Sequence, residues 1–395
     1  MKPEENNKPV CGLIMSGGGA RAAYQVGVLK AIAELLPRGT PNPFPVICGT
    51  SAGAINATAL AIYARNLDEA VRRLNFVWKN FRVHQVFRSD VRGVMVTGLR
   101  WLAASVLVGL GRRNPQALLD RAPLRRLLDN ALPCERIQDS IDAGLVRALS
   151  VTASGYNSGE SITFYQGVDT IAPWKRARRF GAAARISIDH LMASSAIPFL
   201  FGAVRINREY FGDGSMRQIA PISPALHLGA ERVLVIGVRQ EASAQVPRTE
   251  SAEYPSLAQI AGHVLNSIFL DSLEADLERL QRINKTISLL SAQQLQEGGV
   301  TLRKIDVLVI SPSQDIGRIA AKHAHHLPRP VRFLLRGLGA TRRSGANLLS
   351  YLLFERPYCR ELIALGYADA MQRRQEILDF LGFGAHGAEL PRVAS

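Results

Sequence analysis

The chain has 395 residues, 47% of them hydrophobic and 21% charged, which excludes a largely disordered polymer and allows one large domain or two modest ones. With 48 Lys and Arg against 33 Asp and Glu, the formal charge is +15. That excess favours an anionic partner such as nucleic acid, an acidic lipid surface or a phosphorylated substrate, although arginine-rich helices also occur as plain solvated faces.

Residues Met1 to Pro9 are polar and lack the apolar stretch of a secretory signal, so a flexible N-terminus (residues 1–9) and a cytoplasmic protein are expected. Val10 to Met15 is an apolar, strand-like run, and Gly17-Gly18-Gly19-Ala20-Arg21 follows it at once. Tyr24 to Leu36 then carries Val28, Leu29, Ile32, Leu35 and Leu36 at helical spacing and stops at Pro37. A second apolar run, Phe44 to Cys48, leads into Gly49-Thr50-Ser51-Ala52-Gly53 and the small-residue helix Ala52 to Ala64. Leu67 to Phe81 reads as a further helix, and residues 83–131 as a mainly helical insertion. Inside the insertion, Val94 to Leu110 is apolar almost throughout. It is too short to span a bilayer comfortably and has Arg100 within it. It reads either as a buried or lid helix, or as an interfacial helix with Trp101 and the flanking arginines at the headgroups.

Strand signals return at Leu145 to Thr152 and Ser161 to Gln166, joined by a turn containing Asn157-Ser158-Gly159. Ser187 to Ala196 reads as a short helix, and Val204 to Ile206 with Glu209 to Phe211 as a hairpin around Asn207-Arg208. Asp213-Gly214 follows. Pro221 to Leu228 is helical, and Arg232 to Val238 is a continuous apolar run suited to a buried parallel strand. After the polar loop Gln240 to Glu253 come one or two long helices from Pro255 to about Leu290 and a last strand at Ile305 to Ile310. Strands alternating with helices indicate an α/β layered fold. From about Ser313 the pattern changes to arginine-rich helices, best developed at Asn347 to Leu353 and Arg360 to Leu381, with the histidines of Ala321 to His326 in a surface linker. The four cysteines, Cys11, Cys48, Cys134 and Cys359, have no C-x-x-C spacing. Cys11 and Cys48 sit in apolar strands as small hydrophobes, which fits a reducing compartment.

Three pieces carry chemistry. Gly49-x-Ser51-x-Gly53 between a strand and a helix is a nucleophile elbow, a tight turn that leaves no room for side chains at Gly49 and Gly53 and projects the serine hydroxyl. The row Gly17, Gly18, Gly19 at a helix N-terminus offers backbone N–H groups to an oxyanion, where one donor is typically worth about 3–4 kcal/mol of barrier, and Arg21 adds positive potential. A base completes the set. No late histidine sits in a glycine-flanked loop after a strand, whereas Asp213, at a strand end before Gly214, can accept the serine proton if burial raises its pKa.

The set Gly-Gly-Gly-x-Arg, Gly-x-Ser-x-Gly and Asp-Gly, in that order, resembles the patatin-like phospholipase family. Val151-Thr152-Ala153, Asn157 to Glu160, Ala193-Ser194-Ser195-Ala196-Ile197-Pro198 and Gly229-Ala230-Glu231-Arg232 add to the likeness, which runs from about Cys11 to Ile310. It implies a three-layer α/β/α fold with a central, mostly parallel sheet. The catalytic domain would occupy residues 10–312, and residues 313–395 would form a basic helical C-terminal extension. It also implies a serine–aspartate dyad of Ser51 and Asp213, an oxyanion hole around Gly17, Gly18, Gly19 and Arg21, and hydrolysis of phospholipid or other lipid esters with no metal or cofactor. Ser16 stands where many members have Asp, and Asp213-Gly214-Ser215 replaces the commoner Asp-Gly-Gly or Asp-Gly-Ala.

Two other readings use the same residues. Acyl transfer to an acceptor other than water passes through the same acyl-enzyme, and an inactive membrane- or partner-binding scaffold would use only the basic surface. Gly17-x-Gly19-x-x-Ala22 also matches a loose dinucleotide fingerprint. That fold needs an acidic residue at the end of the next strand, and Thr40 to Cys48 has none. Peripheral contact with an anionic membrane, on its inner face, is expected; a nucleic-acid partner is not.

Overall fold

Two strand–turn–helix units open the chain, where the apolar runs and glycine turns predict them. In the first, β1 (Cys11–Met15) leads to a 3-10 turn at Gly19–Ala22 and α1 (Ala23–Leu35); in the second, β2 (Val46–Thr50) leads to α2 (Ala52–Ile62). The computed structural model describes residues 9–88, 117–240, 254–297, 302–337, 339–340 and 345–384. Val94 to Leu110 lies outside these residues. α3 (Leu67–Lys79) is capped by Asn66, whose side chain accepts the Glu69 amide at 3.1 Å, and carries Asp68 and Glu69 at the positive end of its dipole.

The remaining strands are β3 (Ala148–Gly155), β4 (Ser161–Gly167), β5 (Trp174–Arg176), β6 (Arg179–Ala183), β7 (Val204–Ile206), β8 (Glu209–Asp213), β9 (Arg232–Ile236) and β10 (Asp306–Ile310). They form one sheet in the order β10-β9-β1-β2-β3-β4-β6-β5, with β8 pairing β3 and β7 pairing β8. From β10 to β3 every pairing is parallel; β3–β4, β3–β8, β5–β6 and β7–β8 are antiparallel.

The central strands are apolar on both faces because both faces are covered. Leu13, Met15, Ile47, Leu234 and Ile236 enter one core; Ile14, Val46, Cys48, Val233 and Val235 enter the other. Helices on the two sides complete three layers. Cys11 and Cys48 pack in these cores, and burial pushes both thiols up to about 12.

Two expectations change. The chain adds β5 and β6, which the sequence reading passed over: Trp174-Lys175-Arg176 is too short and charged to show strand periodicity. The histidine segment is at the surface, as a 3-10 turn at Ala324–His326, but it continues a docked helix and is not an open linker. Ile316–His323 is a helix with Ile316, Gly317, Ile319 and Ala320 buried, and His323 Nε2 bonds Glu361 on the helix Arg356–Gln372. Among the described residues, no cluster of His, Cys, Asp or Glu could hold a metal, and no helix is long and apolar enough to cross a membrane.

The helices that follow β10 dock on the α/β core. Arg356–Gln372 crosses α1 at glycines: a Cβ on Gly27 would lie 2.1 Å from the Ile363 carbonyl oxygen, and one on Gly366 would lie 2.1 Å from that of Tyr24. Tyr24 donates to Asp369 Oδ2 at 3.0 Å, and the Ser313 hydroxyl donates to Asp369 Oδ1 at 2.6 Å. Because Gly27 and Gly366 each lie against the backbone of the opposite helix, neither helix can step aside for a side chain. Gly27→Val is therefore expected to cost at least about 2 kcal/mol through overpacking. Thermal unfolding should show a single transition at a clearly lower Tm; an unchanged Tm would mean that the helix does not belong to the folding unit.

Candidate functional site

Ser51 joins β2 to α2 with φ 55° and ψ −129°, a region that a residue with a Cβ occupies only under constraint. The constraint comes from the glycines on either side. A Cβ on Gly49 would sit 2.4 Å from the Ala54 Cα, and one on Gly53 would sit 2.2 Å from the Met15 carbonyl oxygen, so the elbow lies directly on the end of β1. The Ser51 amide donates to Ser194 Oγ at 2.8 Å, and Ser194 in turn donates to the Thr152 carbonyl at 2.6 Å. Ser51 is 1% exposed and stands at the N-terminus of α2, where the helix dipole favours negative charge.

Asp213 is the last residue of β8. Its partner in β3 is Ala153, while Thr152, one residue earlier, pairs with Thr50 of β2. One strand therefore sets both groups side by side. The Asp213 amide donates to the Ala196 carbonyl at 2.9 Å. Gly214 is required because its Cβ would fall 2.0 Å from the Thr152 carbonyl oxygen. Asp213 Oδ1 accepts the Ser215 amide at 3.0 Å, and Oδ2 is buried with no hydrogen-bond partner among the described residues.

Burial dominates this carboxyl and raises its pKa to about 6. The Ser51 and Ser215 hydroxyls and the Arg121 charge pull the other way, favouring the carboxylate. The Ser51 hydroxyl thus bears on Asp213 without completing a hydrogen bond at Oδ2. The serine at position 215 strengthens the loop, adding a hydroxyl to the donors around the carboxylate.

The glycine loop lies opposite. Gly17 abuts Ser215 Oγ and the Phe269 ring, Gly18 abuts Val238, and Gly19, at φ +54°, abuts the Tyr351 carbonyl. Among the described residues nothing accepts a hydrogen bond from the amides of Gly18 and Gly19. Arg21 is buried, not solvated. Its Nε donates to Ser350 Oγ at 2.8 Å, its Nη2 reaches Asn266 and Asn347, and the guanidinium lies 4.1 Å from the Tyr351 ring centroid. Its role here is to tie the loop to the helix Ala346–Leu352 and to leave positive charge behind it.

A cavity of about 90 Å³ adjoins Ser51 and Gly19; Ile55, Leu74, Trp78, Leu128, Tyr351 and Phe354 give it an apolar wall. Ser51, Asp213 and the glycine loop are thus brought together, with Gly49 and Gly53 shaping the elbow.

Several supports carried no local sequence signal. Arg121, at the head of the helix Ala122–Ala131, is 6% exposed. It donates to the Met192 carbonyl at 2.8 Å, Ser195 Oγ at 3.2 Å and the Gly202 carbonyl at 2.8 Å, and attracts Asp213 electrostatically. Burial lowers its pKa to about 10, so it stays charged at neutral pH. Tyr351 and Asn266 likewise come from distant segments. The Ser194-Ser195-Ala196 stretch was visible as a motif, but its task of holding the Ser51 and Asp213 amides was not.

A family model described as patatin-like phospholipase matches residues 13–226, more than half of the 395. A cGAMP-activated phospholipase of Pseudomonas aeruginosa is 27% identical over 216 residues, 54% of this chain and 55% of that protein. Lysophospholipase nte1 of Aspergillus terreus is 47% identical over 57 residues, 14% of this chain and 3% of that protein. The chain thus spans about half of one curated relative and a small part of the other. Among solved structures, VipD from Legionella pneumophila aligns with 94% of this chain and 67% of its own, at 13% identity and a TM-score of 0.36.

The buried carboxyl has a consequence for stability. Its folded pKa of about 6 exceeds the ordinary 3.8, so its contribution to stability is full below pH 3.8 and is lost as pH rises through about 6. Above that, holding the carboxylate costs up to about 3 kcal/mol. Asp213→Asn, which keeps an acceptor for the Ser215 amide, should raise Tm at about pH 7.5 and lose that advantage near pH 4; an equal effect at both would contradict a strained carboxylate.

Proposed function

Because the chain belongs to the patatin-like phospholipase family, we propose that it is a serine lipid acyl hydrolase of phospholipase A or lysophospholipase type, working through Ser51 and Asp213. The observation that carries this reading is the shared strand β3, which sets a strained, buried serine beside a buried carboxyl whose Oδ2 has no hydrogen-bond partner among the described residues. The two relatives, a phospholipase and a lysophospholipase by name, support a lipid ester as substrate.

Ser51 Oγ attacks the acyl carbonyl carbon as its proton passes to Asp213. The amides of the Gly17–Gly19 loop hold the carbonyl oxygen as it becomes an oxyanion, with the N-terminus of α2 and the buried Arg21 adding positive potential. Collapse breaks the ester C–O bond, and the leaving alcohol takes the proton from Asp213. Water then attacks the Ser51 acyl ester, gives its proton to Asp213, and the fatty acid leaves as Ser51 recovers its proton. No imidazole is needed if the carboxylate pKa sits near 6, because such a group is ionised at neutral pH yet basic enough to work as a proton acceptor. The apolar cavity takes the part of the acyl chain next to the carbonyl.

Ser51→Ala should reduce fatty-acid release from phospholipid–detergent micelles to background, and Asp213→Asn should reduce it by roughly 10²–10⁴-fold. Free fatty acid as product, also with lysolipid or alcohol added, identifies water as the acceptor; a transacylated product would replace hydrolysis by transfer. Activity retained in either variant would sink the dyad.

The carboxyl must be ionised to act, so kcat/KM should fall as pH drops through about 6. The charged or titratable groups bearing on Asp213 are Arg121 and Tyr156, with the Ser51 and Ser215 hydroxyls. Arg121→Gln removes the cation and should move that acid limb to higher pH with little change in KM, and Arg121→Lys should restore part of it. An unmoved limb would mean that Arg121 holds the Ser195–Gly202 segment without influencing the base.

A further inference from the structure

The helix Leu257–Asn266 is apolar on two sides. Ala258, Gly262 and Leu265 face the protein, with Gly262 packed on the backbone of Asn347 and Leu348. Leu257, Ile260 and Val264, at i, i+3 and i+7, form a second stripe that is 68%, 42% and 49% exposed, and Tyr254 just before them is 91% exposed. Single exposed apolar residues are ordinary, but a row of them along one helix face marks an interaction surface.

The end of a second helix meets the start of this one: a Cβ on Gly339 would lie 2.9 Å from Ser256. That second helix, Arg329–Gly337, buries Val331 and Leu335, projects Phe333 at 81% exposure, and carries Arg329, Arg332 and Arg336 with no acidic residue. From Tyr254 to Leu270 the chain likewise contains no acidic residue.

We infer that these two helix faces, Tyr254 to Val264 and Arg329 to Gly337, form the surface by which the protein docks on an anionic lipid bilayer. The proposal rests on the lipid-ester reading above and adds where and how the lipid is met. Aliphatic and aromatic side chains beside arginines that meet no carboxylate among the described residues match the boundary between acyl chains and anionic headgroups. A nucleic acid would use the arginines but leave the aliphatic row in water. The surface is also connected to the site. The first helix ends at Asn266, which accepts from Arg21 and Tyr351, and Phe269 beyond it packs on Gly17.

The test is co-sedimentation of the full chain with vesicles of phosphatidylcholine, with and without phosphatidylglycerol. Hydrolysis of a soluble short-chain ester and gel filtration are followed in parallel. Wild type should sediment with the anionic vesicles only. Leu257→Ser/Ile260→Ser/Val264→Ser, Phe333→Ser and Arg329→Glu/Arg336→Glu should each lose at least about tenfold in partitioning, with soluble-ester turnover and elution unchanged. Variants that bind like wild type would overturn the proposal, as would wild type that ignores anionic vesicles. A wild-type dimer that the apolar substitutions dissociate, with vesicle binding intact, would assign the face to a second copy of the chain instead. Vesicle binding lost in the variants, from a wild type that hydrolyses no ester, would support the surface while contradicting the acyl-hydrolase reading.

Discussion

The pairing of one edge of β3 first with β2 and then, where β2 ends, with β8 is the constraint from which the site follows. Thr152 registers with Thr50 and Ala153 with Asp213, so the residue after β2 and the last residue of β8 meet along one edge of a fully buried strand. Register in a sheet buried on both faces is strongly specified, because a one-residue slip would turn every side chain to the opposite core. The separation between Ser51 and Asp213 is thereby fixed by the sheet and not by the flexibility of either loop. Cross-links lock it further: Ser194 bonds both the Ser51 amide and the Thr152 carbonyl, and Ala196 holds the Asp213 amide.

The site is maintained against two unfavourable terms. Ser51 sits at a positive φ, a strain of about 1–3 kcal/mol, and Asp213 must ionise where water is excluded. The two terms act together. A carboxyl in water would have a pKa too low to compete for a serine proton, and one buried without hydroxyls and a cation nearby would stay protonated. Arg121, Ser215 and Ser51 bring it back to about 6. Arg121 is itself costly to bury, and three hydrogen bonds to the 192–202 segment satisfy it, so the same side chain sets the charge at Asp213 and the position of the chain that grips it.

What the sequence made legible is what glycine sterics impose locally. Gly49, Gly53, Gly214 and the Gly17–Gly19 row each lie where a Cβ would strike backbone or packed side chain, so the motifs advertise their geometry. The alternating units up to β2, the β3–β4 hairpin and the buried β9 were readable for the same reason: periodicity and turn chemistry are local. The supports were not. Arg121, Ser194, Asn266 and Tyr351 act on residues far along the chain, and nothing in their own neighbourhood marks them. The final helices looked like a charged appendage, yet they close against α1 at Gly27 and Gly366 and bring Tyr351 to the wall of the cavity. β5, at the sheet edge, and its short neighbour β6 escaped because such short strands owe their form to the partner strand and not to their own composition.

The most direct test is intact-mass analysis after treatment with a fluorophosphonate, followed by peptide mapping, because it asks whether the elbow serine is a nucleophile before any substrate is chosen. The account requires a single adduct, located on Ser51 and formed much more slowly in Asp213→Asn. No adduct on the folded wild-type chain, with detergent or lipid present, would contradict it, as would an adduct formed equally fast without the carboxylate.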